Sequence, residues 1–151
     1  MKGFYDITTS LRNHFTTDAI VNTVTEGDIF EVDLNKQTIF PLVHMMVNNA
    51  TFETNVVRFN ISLIAMDIVN ISKDETTDIF RGNSNEQDVL NTQLEVLNRA
   101  YAMLLHGDLW DDKYVVDGNP NCEPFTERFE NYLAGWTMTL DILIPNEVTI
   151  C

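Results

Sequence analysis

The residues of this chain best suited to hold a metal or attack a substrate are His14, His44, His106, Cys122 and Cys151. The three histidines fall on three different predicted elements. No two of them stand at ligand spacing on one helix, so each reads as a satisfied or surface histidine and not as a zinc ligand. The two cysteines form no Cys-x-x-Cys pair and read as free thiols of a reducing compartment. Acid–base or cation chemistry would need paired carboxylates, and three pairs occur: Glu31/Asp33, Asp74/Glu75 and Asp111/Asp112. Glu31 and Asp33 stand two apart in an extended segment and would share one face, where they could bind a cation or move a proton. In a chain with 23 acidic and 9 basic residues, a solvated acidic face accounts for them better, by several to one. The six glycines are scattered, each at a break, and build no phosphate loop. No local signature of a Ser/His/Asp or Cys/His nucleophile is present. The chain is therefore expected to be no enzyme, with no cofactor and no metal.

A net charge of −14 works against phosphate recognition, which needs a basic face, and against anionic membrane surfaces. It suits a surface to which DNA must not stick. The 151 residues fit one domain, 1–151, with room for a real core, and the 15 aromatic side chains (9 Phe, 4 Tyr, 2 Trp) argue against disorder. The start, Met1 to Ser10, is broken by Asp6, Thr8, Thr9 and Ser10 and carries no apolar signal core. Three glycosylation patterns, beginning at Asn49, Asn60 and Asn70, carry no meaning without such a signal. Cytoplasmic synthesis is the expectation.

The elements that would position these residues are organised around Ile39 to Asp67. Ile39–Val47 and Val56–Asp67 read as a long antiparallel ribbon at the centre of a sheet, with a turn predicted at Asn48-Asn49-Ala50. Pro41 belongs near a strand start. Val57, Phe59, Ile61 and Leu63 alternate with Arg58, Asn60 and Ser62, which makes one buried and one polar face. From Ile64 to Val69 both faces turn apolar except at Asp67, so this end must be covered on both sides by another layer or a partner subunit. Phe4, Ile7, Leu11 and Phe15 predict a helix over 4–16, and Val21–Thr25 a short strand. Ser84 to Gln87 fits a capping box ahead of a helix whose core stripe is Leu90, Leu94, Leu97, Tyr101 and Leu104, with Gly107 as its stop. Tyr114–Val116 reads as a short strand ended by a turn at Asp117–Asn121. In Phe125–Leu133 the four-residue repeat of Phe125, Phe129 and Leu133 favours a helix, while aromatic content and the position before another strand favour an extended segment, which is the expectation; Ala134-Gly135 punctuates it. Trp136, Met138, Leu140, Ile142 and Ile144 alternate as a last strand. Strands grouped together with two main helices set beside them predict an α+β fold, with an antiparallel or mixed sheet.

Several stretches together carry a resemblance: Phe4-Tyr5-Asp6-Ile7, Val24 to Ile29, Val32 to His44, Ala65 to Val69, Val89 to Gln93, and Asn131 to Trp136. Over nearly the whole chain the sequence resembles tail-completion or tail-terminator proteins of tailed bacteriophages, on structural and not catalytic motifs. The resemblance implies a small α+β subunit of a ring, usually a hexamer, on the last layer of the tail tube at its head-proximal end. Its partners would be further copies of itself, the tail tube protein and a neck or connector protein. DNA would pass through the lumen without sequence-specific binding, and no membrane would be involved. Glu26, Asp28, Glu31 and Asp33 are the candidates for an acidic lumen- or tube-facing surface. Ile64, Met66, Ile68, Trp136 and Met138 are the candidates for subunit contacts. A neck or head-completion adaptor, and an acidic DNA mimic that blocks a host enzyme, are the alternatives.

Overall fold

The computed structural model of the chain describes residues 2–27, 39–69, 85–106, 114–128 and 132–146. Along the chain run α1 (Lys2–Thr17), β1 (Thr23–Glu26), β2 (Leu42–Glu53), β3 (Val56–Ile68), α2 (Glu86–His106), β4 (Val115–Arg128) and β5 (Leu133–Pro145). The strands form one sheet in the order β1-β2-β3-β5-β4. β1 pairs parallel to β2 and every other pairing is antiparallel, so the fold is α+β with a mixed sheet. The ribbon does occupy the centre, with β3 as the middle strand.

α1 forms because Phe4, Ile7, Leu11 and Phe15 recur on one stripe, and Ile7, Leu11 and Phe15 are fully buried. α2 starts with Glu86 and Asp88 in its first turn, where carboxylates meet the positive end of the helix dipole. Its core face carries Val89, Gln93, Val96, Leu97, Ala100 and Leu104. That face is rotated from the predicted stripe. Leu94 is 37% exposed and Tyr101 only half-buried. Both helices pack on the same side of the sheet, on Val43, Met45, Val57, Phe59, Ile61, Leu63, Met138, Leu140 and Ile142. Each such side chain taken from water contributes about 1.5–3 kcal/mol.

The second side of the sheet carries a smaller apolar cluster at one end: Phe40, Leu42, Ile64, Met66, Phe125 and Leu133. The doubly apolar end of β3 is thus covered by the chain's own segments. Phe40 precedes β2 through a cis bond to Pro41, whose carbonyl accepts from the Asn22 and Thr23 amides. Asp67 is half-buried there and accepts a 2.8 Å bond from the Ile68 amide. Burial pushes its carboxyl up from the usual range, with the Ile68 amide opposing. An acid whose folded pKa lies above its unfolded value disfavours the folded state once ionised. Asp67→Asn is therefore expected to stabilise the protein at pH 7. The gain should vanish as the pH falls below the folded pKa of Asp67, and chemical denaturation at several pH values reads it directly.

Three predicted turns are corrected. The hairpin turns at Thr54-Asn55, not at Asn48–Ala50: Glu53 pairs with Val56, and Asn55 takes the left-handed conformation (φ 66°) that asparagine tolerates. Asn48 is instead the extra residue of a β-bulge between Val47 and Asn49. Asp117–Asn121 does not end a strand either. It is a bulge within β4, where Gly118 at φ 71° absorbs residues that have no partner on β5. Ala134-Gly135 lies inside β5, with Gly135 opposite Met66. The segment 29–34, the capping Ser84 and the stop Gly107 lie outside the described residues.

Candidate assembly surface

Among the described residues both helices lie on one side, no element covers the other side of the sheet beyond the Phe40 cluster, and that side grades from apolar to charged along the strands. At the apolar end, His44 is fully buried and bridges β2 to β1. Its Nε2 lies 2.7 Å from the Gly27 carbonyl and its Nδ1 2.6 Å from the Thr25 hydroxyl. The tautomer that satisfies both bonds carries its proton on Nε2, with the Thr25 hydroxyl donating to Nδ1. His44, read from the sequence as a satisfied or surface histidine, is a satisfied one that pins β1 to β2.

Next comes a neutral polar ladder. The Asn48 amide donates to Asn60 Oδ1 at 2.8 Å and to Ser62 Oγ at 2.7 Å. Asn60 donates to Asp141 Oδ1 at 2.9 Å, and Ser62 meets Thr139 at 3.4 Å. The bulge at Asn48 brings its side chain between two positions of β3, which a regular strand would not do. Beyond the ladder, Arg58 donates to Glu53 at 3.0 Å and to Asp117, and lies 3.6 Å from Asp141. Asp117 first and Glu53 second raise the Arg58 pKa, so the guanidinium stays charged. One cation facing three carboxylates leaves this end of the face acidic.

The predicted surface residues are only partly brought together. Glu26 is exposed at the end of β1. Asp28, Glu31 and Asp33 lie outside the described residues. Of the five residues expected at subunit contacts, Ile64, Met66 and Met138 are buried by the chain's own elements, and of these three only Met138 reaches the lining of a surface groove. The alternation that singled them out marks burial of any kind, and their own chain supplies it. Ile68 and Trp136 keep partial exposure, but the Trp136 indole N–H donates to the Leu90 carbonyl at 2.8 Å and ties β5 to α2.

Sequence reasoning missed two surface features. Phe52, one residue before the end of β2, is 72% exposed. A groove of about 450 Å³ lies between α2 and the β4–β5 pair, lined by Asn91, Leu94, Glu95, Asn98, Tyr101, Pro120, Cys122 and Met138. The rotation of α2 leaves Leu94 and Tyr101 in its wall, and the β4 bulge contributes Pro120. Burial pushes the Cys122 thiol up, so it is a weak nucleophile there. Among the described residues no group of three or more His, Cys, Asp or Glu could hold a metal ion, and no helix is long and apolar enough to cross a membrane.

Among the described residues the geometry is a mixed sheet with helices on one side and a polar face on the other, an exposed aromatic at the hairpin end and a groove beside the far strand. No protein-family model matches the chain, and no curated protein matches it.

Proposed function

We propose that this chain is a structural subunit of a tailed-phage virion, a tail terminator that caps the tail tube as a ring and joins it to the neck. The observation that carries the reading is the one-sided sheet: the helices cover one face, and the other presents a hydrogen-bonded polar ladder grading into an acidic end. A polar face without a basic patch is the kind of wall past which DNA slides without sticking. The net charge of −14 and the resemblance along the chain support the same reading. The Arg58–Asp117–Asp141 end is the part of the described polar face that would face tube or lumen, whereas Glu26, paired with Met45, lies on the helix side of the sheet. A DNA mimic is less well supported, because the carboxylates of the bare face are tied to Arg58 and Asn60 and not free to imitate phosphates.

Mass photometry of the purified protein, alone and with tail tubes, tests the ring. Closed oligomers that bind tube ends are the expected result, and a strict monomer with tubes present would overturn it. Virions lacking the protein should show overlong or headless tails. Empty or unstable heads would instead place the subunit at the head side of the neck.

A further inference from the structure

We propose that Phe52 of one copy seats in the α2–β4 groove of a second copy, and that this contact is the anchor between neighbours; the inference rests on the ring reading. Phe52 is 72% exposed next to a two-residue turn, so none of the described elements of its own chain holds it. A phenylalanine at an interface buries roughly 150–250 Å². The groove offers about 450 Å³ with Leu94, Tyr101 and Met138 in its walls, which is ample for one ring.

Phe52 cannot enter the groove of its own chain. It stands on β2, with β3 and β5 between it and β4. Knob and hole therefore sit towards opposite edges of one sheet. A contact between different patches of two identical copies is heterologous and closes into a ring when the rotation permits.

Charge selects a second copy as the occupant. Each copy carries −14, so two copies can meet only where carboxylates are absent or already paired. Both patches meet that condition. Glu53 beside the knob is held by Arg58 at 3.0 Å, and Thr54 and Asn55 are neutral. Glu95 at the groove lies 3.5 Å from Arg99, and the rest of the lining is neutral. A basic partner would be drawn instead to the open acidic end of the bare face. A single aromatic does not make a whole interface, which needs about 800 Å² per partner, but it is the type of residue that dominates one.

The test uses the full chain in a Cys151→Ser background, which leaves Cys122 in the groove. Phe52→Cys, oxidised above the concentration of assembly, should form disulfides between copies in a ladder reaching the ring. Phe52→Ala and Leu94→Glu, both at exposed positions, should each raise the concentration needed for assembly about tenfold or more, read by mass photometry. Rings that form without the crosslink and ignore both substitutions overturn this contact and leave the ring reading standing. Crosslinking that stops at a dimer, or that persists when Cys122 is also replaced by serine, reports pairing of two position-52 thiols and overturns the contact. A protein that stays monomeric with tubes present overturns both.

Discussion

Gly135→Ala is expected to abolish the folded protein. A Cβ placed at Gly135 would lie 2.0 Å from the Ala65 carbonyl oxygen and 2.9 Å from the Ala65 carbonyl carbon and the Met66 Cα. Real Cβ atoms do not approach that closely, and every one of these atoms is backbone of β3, the central strand. No side-chain rotation relieves the clash; β3 and β5 would have to separate where Met66 pairs with Gly135. That separation would also open the cluster of Ile64, Met66 and Leu133 on one face and the Trp136–Leu90 tie on the other. Overpacking a well-filled core costs about 1–3 kcal/mol when side chains can adjust, and more when backbone must move. A cost above about 4 kcal/mol would consume much of the roughly 5–15 kcal/mol that holds a domain together. Soluble yield and thermal unfolding followed by circular dichroism check it. Gly118→Ala is the control. Nothing lies within 4 Å of its Cβ, and only its φ of +71° opposes the substitution, so a loss of about 1 kcal/mol is expected. A Gly135→Ala protein that folds as well as the control would mean that β3 and β5 are not as close as described.

The second large effect is expected from Arg99→Ala. Arg99 of α2 holds Asp18, just after α1, through two 3.0 Å bonds in the bidentate geometry that guanidinium and carboxylate favour. The Asp18 side chain is only 5% exposed, whereas that of Arg99 is 35% exposed. Removing the partner of a fully buried charge costs about 3–5 kcal/mol. Solvent reaches Arg99, so about 2 kcal/mol is the expected loss. Burial by itself pushes the Asp18 carboxyl up, but the Arg99 bond and the Ile20 amide outweigh it and hold the pKa below the usual range. The folded pKa therefore lies below the unfolded one. The pair contributes fully above the unfolded value, about 4, and its contribution is lost as the pH falls through the folded pKa. Urea titrations of wild type and Arg99→Ala should differ by a constant amount from about pH 5 upward, with the gap narrowing below about pH 4. A gap that is unchanged at low pH would show that Arg99 acts through packing alone. His14, beside this pair, adds a separate dependence. Its pKa is lowered, mainly by burial, so the folded state prefers the neutral ring. Its contribution is present above about pH 6.5 and is lost as the pH falls from there toward the folded pKa.

Periodicity alone determined a good deal of this protein. Alternation in Val57–Leu63 and in Met138–Ile144 marked the two strands that share the core face, and they do pair, Leu63 with Met138 and Phe59 with Ile142. The stripe of Phe4, Ile7, Leu11 and Phe15 marked α1. These signals are legible because each is set by the geometry of one element against one apolar layer. The breaks were misread where a local turn signal competes with strand pairing. Asn48-Asn49 and Asp117–Asn121 have turn composition, yet the neighbouring strands continue past them, and the surplus residues become bulges. Gly135 reads as punctuation in sequence, but it is required by a carbonyl 70 residues earlier in the chain, Ala65, which only the fold brings near.

The surface was decided entirely by tertiary structure. An apolar residue inside its own core and one waiting for a partner look identical in sequence, because both obey the same preference to leave water. So Ile64, Met66 and Met138, chosen for subunit contacts, turned out to be covered by Phe40, Phe125 and the helices, while Phe52 and Leu94 stayed in solvent. The face α2 turns to the sheet is not centred on its apolar stripe, and that rotation, invisible to periodicity, leaves Leu94 and Tyr101 in the wall of the groove beside β4. Sequence settled which elements exist and which faces are apolar; the order of the strands and the way the helices dock on them settled which of those faces remain for a partner.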